Sequence, residues 1–385
     1  MATDPDAAGP LAGTMVVEIG RYITAPYACQ QLADLGATVI KVEEPAGDPF
    51  RAWDDTGVSP TFLAYNRGKR SVVADLRRPT ERDFVAQLLG RVDVVVENNR
   101  PGSLERLGLG PEAMRAANPR LIYCSINAFG ASGPMVARPG FDTIVSCLAG
   151  LYSQVMDPVD ARPAGPAFSD LTAGLFAVQA ILAALVERAR TGVGQTIEVP
   201  MVSAVAAGVL VEPAMAYLRT GVSAQADTRM RRAHAFFAVT RDGRPIAIHL
   251  SAPTRFWTAF VRVMGIATLR DDPRFASRAT RIKSYYEISA LIRTRMKDLD
   301  FEEWSALFAA ADIPHAPIHN IGEALGAADL AHLGLVAEES APGANDSVPG
   351  HPYVLGRSRP VHRAAPALDE DHAWVASWLE AAIHD

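Results

Sequence analysis

An α/β fold with a parallel sheet is what this sequence predicts, and three observations carry the prediction. Short β-rich runs alternate with helical stretches up to Ile126. Strand, helix and strand recur within the span of a βαβ unit, which implies parallel strands. The helical stretches begin or end on Pro79 and Gly36, residues that suit a helix start and a helix stop. In chain order, Thr14–Ile19 reads as a strand, Ala25–Leu35 as a helix, and Ala37–Glu43 as a second strand. Pro79–Leu89 is helical, Val92–Glu97 a strand, Gly110–Ala117 helical and Leu121–Ile126 a strand. Gln195–Met201 follows as a strand, and an alanine-rich helical stretch runs to about Leu218. Residues 1–218 are thus expected to form a large domain and the polar, basic stretch 219–234 a linker. Ala235–Thr240 and Pro245–Leu250, joined by a turn at Asp242-Gly243, form a hairpin that opens a smaller α+β domain over 235–330. Its helices are Phe256–Met264, Tyr285–Lys297 and Phe301–Ala311. The segment 331–385, dense in Pro and Gly between Glu338 and Arg363, returns to the large domain.

A chain of 385 residues exceeds the size at which one core keeps growing, so two domains are expected. The net charge of −6 argues against nucleic acid as the partner of the whole molecule. Cys29, Cys124 and Cys147 lie in apolar contexts without metal-type spacing, and read as core thiols of a reducing compartment. His315 and His319 have Pro317 between them and do not share a helix face, so no metal site is expected. The N-terminus has acid where a signal peptide needs base. The uncharged run Leu171–Val186 is slightly short for a membrane span and reads as a buried helix. The expectation is a cytoplasmic protein without a membrane partner.

Parallel sheets collect their ligand sites outside the carboxyl ends of the strands, and the unusual loops fall there. Gly20–Pro26 follows the first strand and lacks the G-x-G-x-x-G pattern, which disfavours a nicotinamide-dependent Rossmann enzyme. Glu44–Asp48 with Arg51, the basic turn Asn66–Ser71, and Asn98–Arg106 complete a polar rim suited to a phosphorylated ligand. Asp170 stands alone at the mouth of the uncharged helix, with Thr172, Ala173 and Gly174 beside it. A carboxylate there lies at the positive end of the helix dipole, which favours an ionised nucleophile and puts backbone donors near a forming oxyanion. A plain N-cap is the alternative.

Taken in order, Leu35–Glu43, Asn66–Ser71, Glu97-Asn98 with Arg100-Pro101-Gly102, Glu105–Gly108, Phe129-Gly130 with Gly133-Pro134, Asp170, Asp271–Phe275, Arg281 and Ile313–Ile318 make the chain resemble the class III CoA-transferase family. That group includes formyl-CoA transferase, carnitine CoA-transferase and α-methylacyl-CoA racemase. The resemblance implies a Rossmann-like large domain built from both chain ends, a smaller domain, and an interlocked homodimer. It implies an acyl-CoA:carboxylate CoA-transferase with CoA or acyl-CoA and a small carboxylic acid as substrates and no tightly bound cofactor. Asp170 would be the nucleophile, passing through an acyl-aspartyl anhydride and an aspartyl-CoA thioester. Asp142 matches a position where the family carries an acid near the thioester; capping the helix that begins there is an equal reading. Contacts to CoA carry over to Tyr22, Ile23, Arg51, Lys69, Arg70, Asn98, Asn99 and Arg106.

Some positions depart from the family pattern. Glu44 stands where many members have a basic residue, so a diphosphate contact passes to Arg51 or Arg70. Asn99 replaces a common aromatic, and Ile23 a polar Gln of formyl-CoA transferase, while Asp227–His234 replaces its Gly-rich loop. The last two argue against oxalate and formyl-CoA as the substrate pair. The arginines at 229–232 either hold an acceptor carboxylate or belong to a solvated linker. Racemases place a His where this chain has Phe141, so α-methylacyl-CoA epimerisation is the second reading.

Overall fold

The computed structural model describes residues 9–54, 58–156, 165–251, 254–338, 347–358 and 363–384. Two compact units divide the chain: the larger takes Met1–Tyr152, Arg162–Gly221 and His332–Asp385, the smaller Ser153–Ala161 and Val222–Ala331.

The larger unit is built on six parallel strands: β1 Met15–Ile19, β2 Thr38–Glu43, β3 Lys69–Val73, β4 Val94–Glu97, β5 Ile122–Asn127 and β6 Thr196–Pro200, in spatial order β3-β2-β1-β4-β5-β6. Strands β1, β2 and β4 are buried along their whole length, as expected where helices cover both faces of a parallel sheet. On one face, the helices Thr24–Asp34 and Phe168–Thr191 contribute Ala28, Cys29, Leu32, Ala173, Ala177 and Ile181 to the core. The other face is covered by Pro79–Leu89 and the last helix, His372–His384, through Val85, Leu88, Leu89, Val375 and Leu379. The helix Phe168–Thr191 is long and apolar enough to cross a membrane, yet one side of it is core. Gly174 shows how closely it packs, because a Cβ there would lie 2.9 Å from the Tyr27 ring and 3.1 Å from the Thr24 carbonyl oxygen.

β3 is the element that sequence reasoning missed, having read Asn66–Ser71 as a basic turn. The cause is a buried ion cluster that makes its polar residues compatible with a sheet. Register pairs Glu18 of β1 with Lys41 of β2, and the Glu18 carboxylate lies 2.6 Å from the Nζ of both Lys41 and Lys69. Lys41 also meets Asp48 at 2.9 Å. Burial alone would raise the Glu18 pKa, but the two ammonium groups outweigh it and hold the carboxyl below its usual range.

The smaller unit has a three-stranded antiparallel sheet, β7 Ala235–Val239, β8 Pro245–His249 and β9 His315–Pro317. Its core gathers Phe236, Phe260, Ile288, Ile292, Trp304 and Phe308. The stretch expected as a linker, 219–234, holds the end of the helix Val211–Thr220 and a short helix Thr228–Ala233. Cys147, expected in the core, is exposed, whereas Cys29 and Cys124 are buried.

Candidate active site

The order of the sheet reverses between β1 and β4, and the crevice outside their carboxyl ends is where such sheets take ligands. A cavity of about 460 Å³ opens there, walled by Arg21–Thr24 after β1, Asn98–Pro101 and Ser103 after β4, Asn127 at the end of β5 with Ala128–Gly130, Val136 and Arg138–Phe141 after it, and Asp170. The two asparagines shape it. Asn98 Oδ1 accepts from the Arg21 N–H, and its Nδ2 donates to the Arg21 carbonyl and to Thr24 Oγ1. Asn99 Nδ2 donates to the Ile19 carbonyl at 2.8 Å. Their amide groups therefore clamp the β1 and β4 loops together. Tyr22 sits in the left-handed region, with φ 66°, a conformation disfavoured for an aromatic residue and tolerated where surrounding structure enforces it. Its ring meets Phe50 and Phe141 edge-on, with centroids 5.4 and 5.9 Å away.

Asp170 is the third residue of its helix, not the N-cap; Ala167 holds that position without a side-chain bond. The cap comes from elsewhere in the chain. Asp142 Oδ1 accepts from the Ser169 N–H at 2.8 Å, from Ser169 Oγ at 2.6 Å and from the Asp170 N–H at 3.3 Å. The Phe168 and Leu171 N–H groups donate to the carbonyls of Pro166 and Ala167. All four amides from Phe168 to Leu171 are thus engaged, so the helix start does not offer the oxyanion donors expected of it. Asp142 does not cap its own helix, Asp142–Leu148, whose N-cap is Phe141; through Oδ1 it holds the start of the Asp170 helix, and it also lines a second cavity. Burial first, and the Asp142 charge second, push the Asp170 carboxyl up to about 7. The helix dipole does not win here.

A second cavity, of about 470 Å³, shares Tyr22, Ile23, Phe141 and Asp170 with the first and adds Phe50, Trp53, Tyr152 and Asp142. Asp170 therefore stands between a cavity rimmed by polar and cationic groups and one to which Tyr22, Phe50, Trp53, Phe141 and Tyr152 bring aromatic rings.

The structure gathers Tyr22, Ile23, Asn98, Asn99 and Asp170 at the first cavity, but three expected CoA contacts lie elsewhere. Lys69 is buried on β3 with Glu18, and its Nζ donates to Asn66 Oδ1 and the Pro26 carbonyl. Arg70 pairs with Asp371 at 2.7 Å beneath the Trp374 ring. Arg51 forms a two-pronged bond to Glu43 and lies over the Phe62 ring. Each is engaged in holding the fold: Lys69 and Arg70 lie on β3 itself, and Arg51 binds Glu43 at the end of β2. Arg106 is exposed on the turn Glu105–Leu107 beside Ser103 of the cavity wall. The cations that do line the cavity are Arg21, Arg100 and Arg138. They were legible as residues following β1, β4 and β5, the same carboxyl-end rule that located the loops. Arg21 lies 3.3 Å from Glu44, so that acid meets a cation of the rim.

Comparison with known sequences decides the family. The pattern that defines CoA-transferase family III matches residues 11–372. The chain belongs to CoA-transferase family III. It is 34% identical to a succinate–glutarate CoA-transferase of Agrobacterium fabrum, over 99% of this chain and 98% of that protein. It is also 34% identical to a succinyl-CoA:glutarate CoA-transferase of Mus musculus, over 96% of this chain and 86% of that one. The crystal structure of a CaiB/BaiF family protein from Brucella suis superposes with a TM-score of 0.85 at 32% identity, covering 97% of this chain and all of that one. This family III enzyme is a CoA-transferase, and CoA thioesters are its substrates. The mixed α/β fold with a six-stranded parallel sheet agrees with the structural relative.

Proposed function

We propose that this enzyme transfers CoA from an acyl-CoA to a free carboxylic acid through covalent intermediates on Asp170. The observation that carries the reading is the position of the Asp170 carboxylate, shared by the two cavities. The polar cavity, with Arg21, Arg100 and Arg138, suits the phosphates of CoA; the aromatic one suits the acyl group. An Asp170 oxygen attacks the thioester carbonyl, the C–S bond breaks, and an acyl-aspartyl anhydride forms as CoA thiolate leaves. The thiolate then attacks the aspartyl carbonyl, releasing the first acid and leaving an aspartyl-CoA thioester. The incoming carboxylate attacks that carbonyl and expels the thiolate, which takes the new acyl group and restores Asp170. A carboxyl raised to about 7 is half ionised at neutral pH and, when ionised, more basic than an ordinary aspartate, which strengthens it as a nucleophile. Relatives named for succinyl and glutarate transfer point to a dicarboxylic acid as one substrate.

Epimerisation is disfavoured because Phe141 has no exchangeable proton and Asp142 is held by Ser169 and Asp170 through Oδ1. The three unpaired thiols suit a reducing compartment, and we place the enzyme in the cytoplasm. A second copy of the chain is the partner that suits its uncovered apolar side chains, among them Val186 at 63%, Val211 at 55% and Leu218 at 76% exposure. In the test, intact protein is incubated with succinyl-CoA and a panel of other acyl-CoAs and weighed by mass spectrometry. An adduct on Asp170 that hydroxylamine removes is expected, and Asp170→Ala and Asp170→Asn should fold yet lose adduct and transfer alike. Substantial turnover by Asp170→Ala would sink the assignment.

A further inference from the structure

We infer that the smaller unit carries a second binding site, for a small carboxylate with a hydrocarbon tail, formed by His234, Arg278 and Arg281 beside Trp257. An open cavity of about 460 Å³ is lined by these four residues with Leu250, Ser251 and Thr254. Two of its polar side chains are buried with an unfilled bonding position. His234 is 2% exposed and Arg281 6% exposed, and neither His234 Nε2 nor Arg281 Nε has a hydrogen-bond partner. A buried polar atom without a partner is costly, and a ligand at the site removes that cost.

The rest of the cluster indicates what the ligand is. Arg281 is fixed by donating through Nη1 to the Phe275 and Ala276 carbonyls and by stacking over Trp257, 4.5 Å from the ring centroid. Arg278 is anchored by its Nη2 on the Arg232 carbonyl at 2.7 Å, its side chain otherwise exposed. No acid lines the cavity among the described residues, so two guanidinium groups converge without a counter-charge. The helix Thr254–Met264 begins at the rim, adding the positive end of its dipole. His234 ends the helix Thr228–Ala233 in the left-handed region, with φ 46°, a strained conformation for a residue other than glycine. Planar guanidinium forks match a carboxylate, and the Trp257 and Leu250 walls give its hydrocarbon part an apolar surface, which a bare phosphate does not need. Burial and the charges of Arg281 and Arg278 hold His234 near 4, against a weaker opposite effect of the Arg232 carbonyl. The imidazole is therefore neutral in the free enzyme. An anion between the arginines cancels the repulsion, so His234 takes a proton from solvent at Nε2 and donates it to the carboxylate. Binding is proton-linked and weakens as pH rises.

The site is built from the smaller unit alone and is tested apart from Asp170. Full-length enzyme labelled with ¹⁵N-histidine is titrated with butyrate, and the His234 signal is assigned by its loss in His234→Asn, a residue that tolerates the left-handed backbone. Free enzyme should show a neutral His234 down to about pH 4, and saturating butyrate should protonate it at higher pH. Arg278→Ala, an exposed change, should weaken that response roughly ten-fold, the scale of one charge-assisted bond. Asp170→Asn should leave it intact. A His234 signal unmoved by butyrate overturns the site. Inorganic phosphate acting at lower concentration than butyrate overturns the carboxylate class. Loss of the response in Asp170→Asn assigns it to the catalytic cavity and overturns the separate site.

Discussion

Two carboxylates separated by 28 positions in the chain meet at the candidate site, Asp170 lining both cavities and Asp142 holding the start of its helix. Because Asp142 binds the Ser169 and Asp170 amides through one oxygen, an amide at position 142 keeps that acceptor and deletes only the charge. Asp142→Asn should therefore preserve the helix start while lowering the Asp170 pKa from about 7, though not to an ordinary carboxylate value, because burial is the larger cause. In the proposed mechanism Asp170 attacks in its ionised form, so kcat/KM should rise with pH through about 7 in the wild type, and the limb should move to lower pH in Asp142→Asn. A pH profile in a single acyl-CoA assay measures it; a limb that stays put would remove Asp142 as an electrostatic partner. Asp142→Ala should cost more stability, about 1–3 kcal/mol for each amide left without an acceptor. Asp170 stood out in the sequence because no ionisable side chain follows it from Leu171 to Val186. Asp142 was read as an acid near the site or as a cap of the helix that begins at it; that it caps the Asp170 helix instead was not legible, since those partners come from a distant segment and only tertiary structure brings them together.

Strands and helices were read well where apolar residues run continuously, as in β1, β2, β4 and β5, and badly where polar residues are buried in pairs. β3 is the case in point. Lys69 and Arg70 looked like solvent-facing cations because nothing local identifies Glu18 or Asp371 as partners, and the pairing exists only once the strands are in register. Moving them from a turn to an edge strand changes what their loss should do. Lys69→Met should leave the KM for acyl-CoA near the wild-type value and instead destabilise the larger unit by about 3–5 kcal/mol, because Glu18 loses one of its two buried partners. Denaturant unfolding of Lys69→Met against the wild type measures this, and a raised KM at unchanged stability would return Lys69 to the binding rim. The cations that line the cavity, Arg21, Arg100 and Arg138, share a simpler signature: each follows a strand's carboxyl end.

At the scale of the molecule, the apolar side chains of the helices Phe168–Thr191 and Val211–Thr220 remain uncovered on one copy of the chain. If a second copy covers them, Val211→Asp with Leu218→Asp should yield monomer, with a large loss of turnover, in sedimentation and activity measurements made on one preparation; a wild type that sediments as a monomer at micromolar concentration would remove the dimer. The large unit takes residues from both ends of the chain, and this has a consequence for how the protein is made. Arg70 and the Ser71 amide are bound by Asp371, 301 and 300 positions later, and the helix His372–His384, which covers Val85, Leu88 and Leu89, follows it directly. At about 5–20 residues per second, a ribosome needs roughly 15–60 s to supply that partner. Throughout that interval one face of the sheet has its strands but not its closing helix, and the whole smaller unit emerges in between. The nascent chain therefore carries a valine- and leucine-lined face exposed to the cell, which makes it a client for chaperones until the helix His372–His384 leaves the exit tunnel.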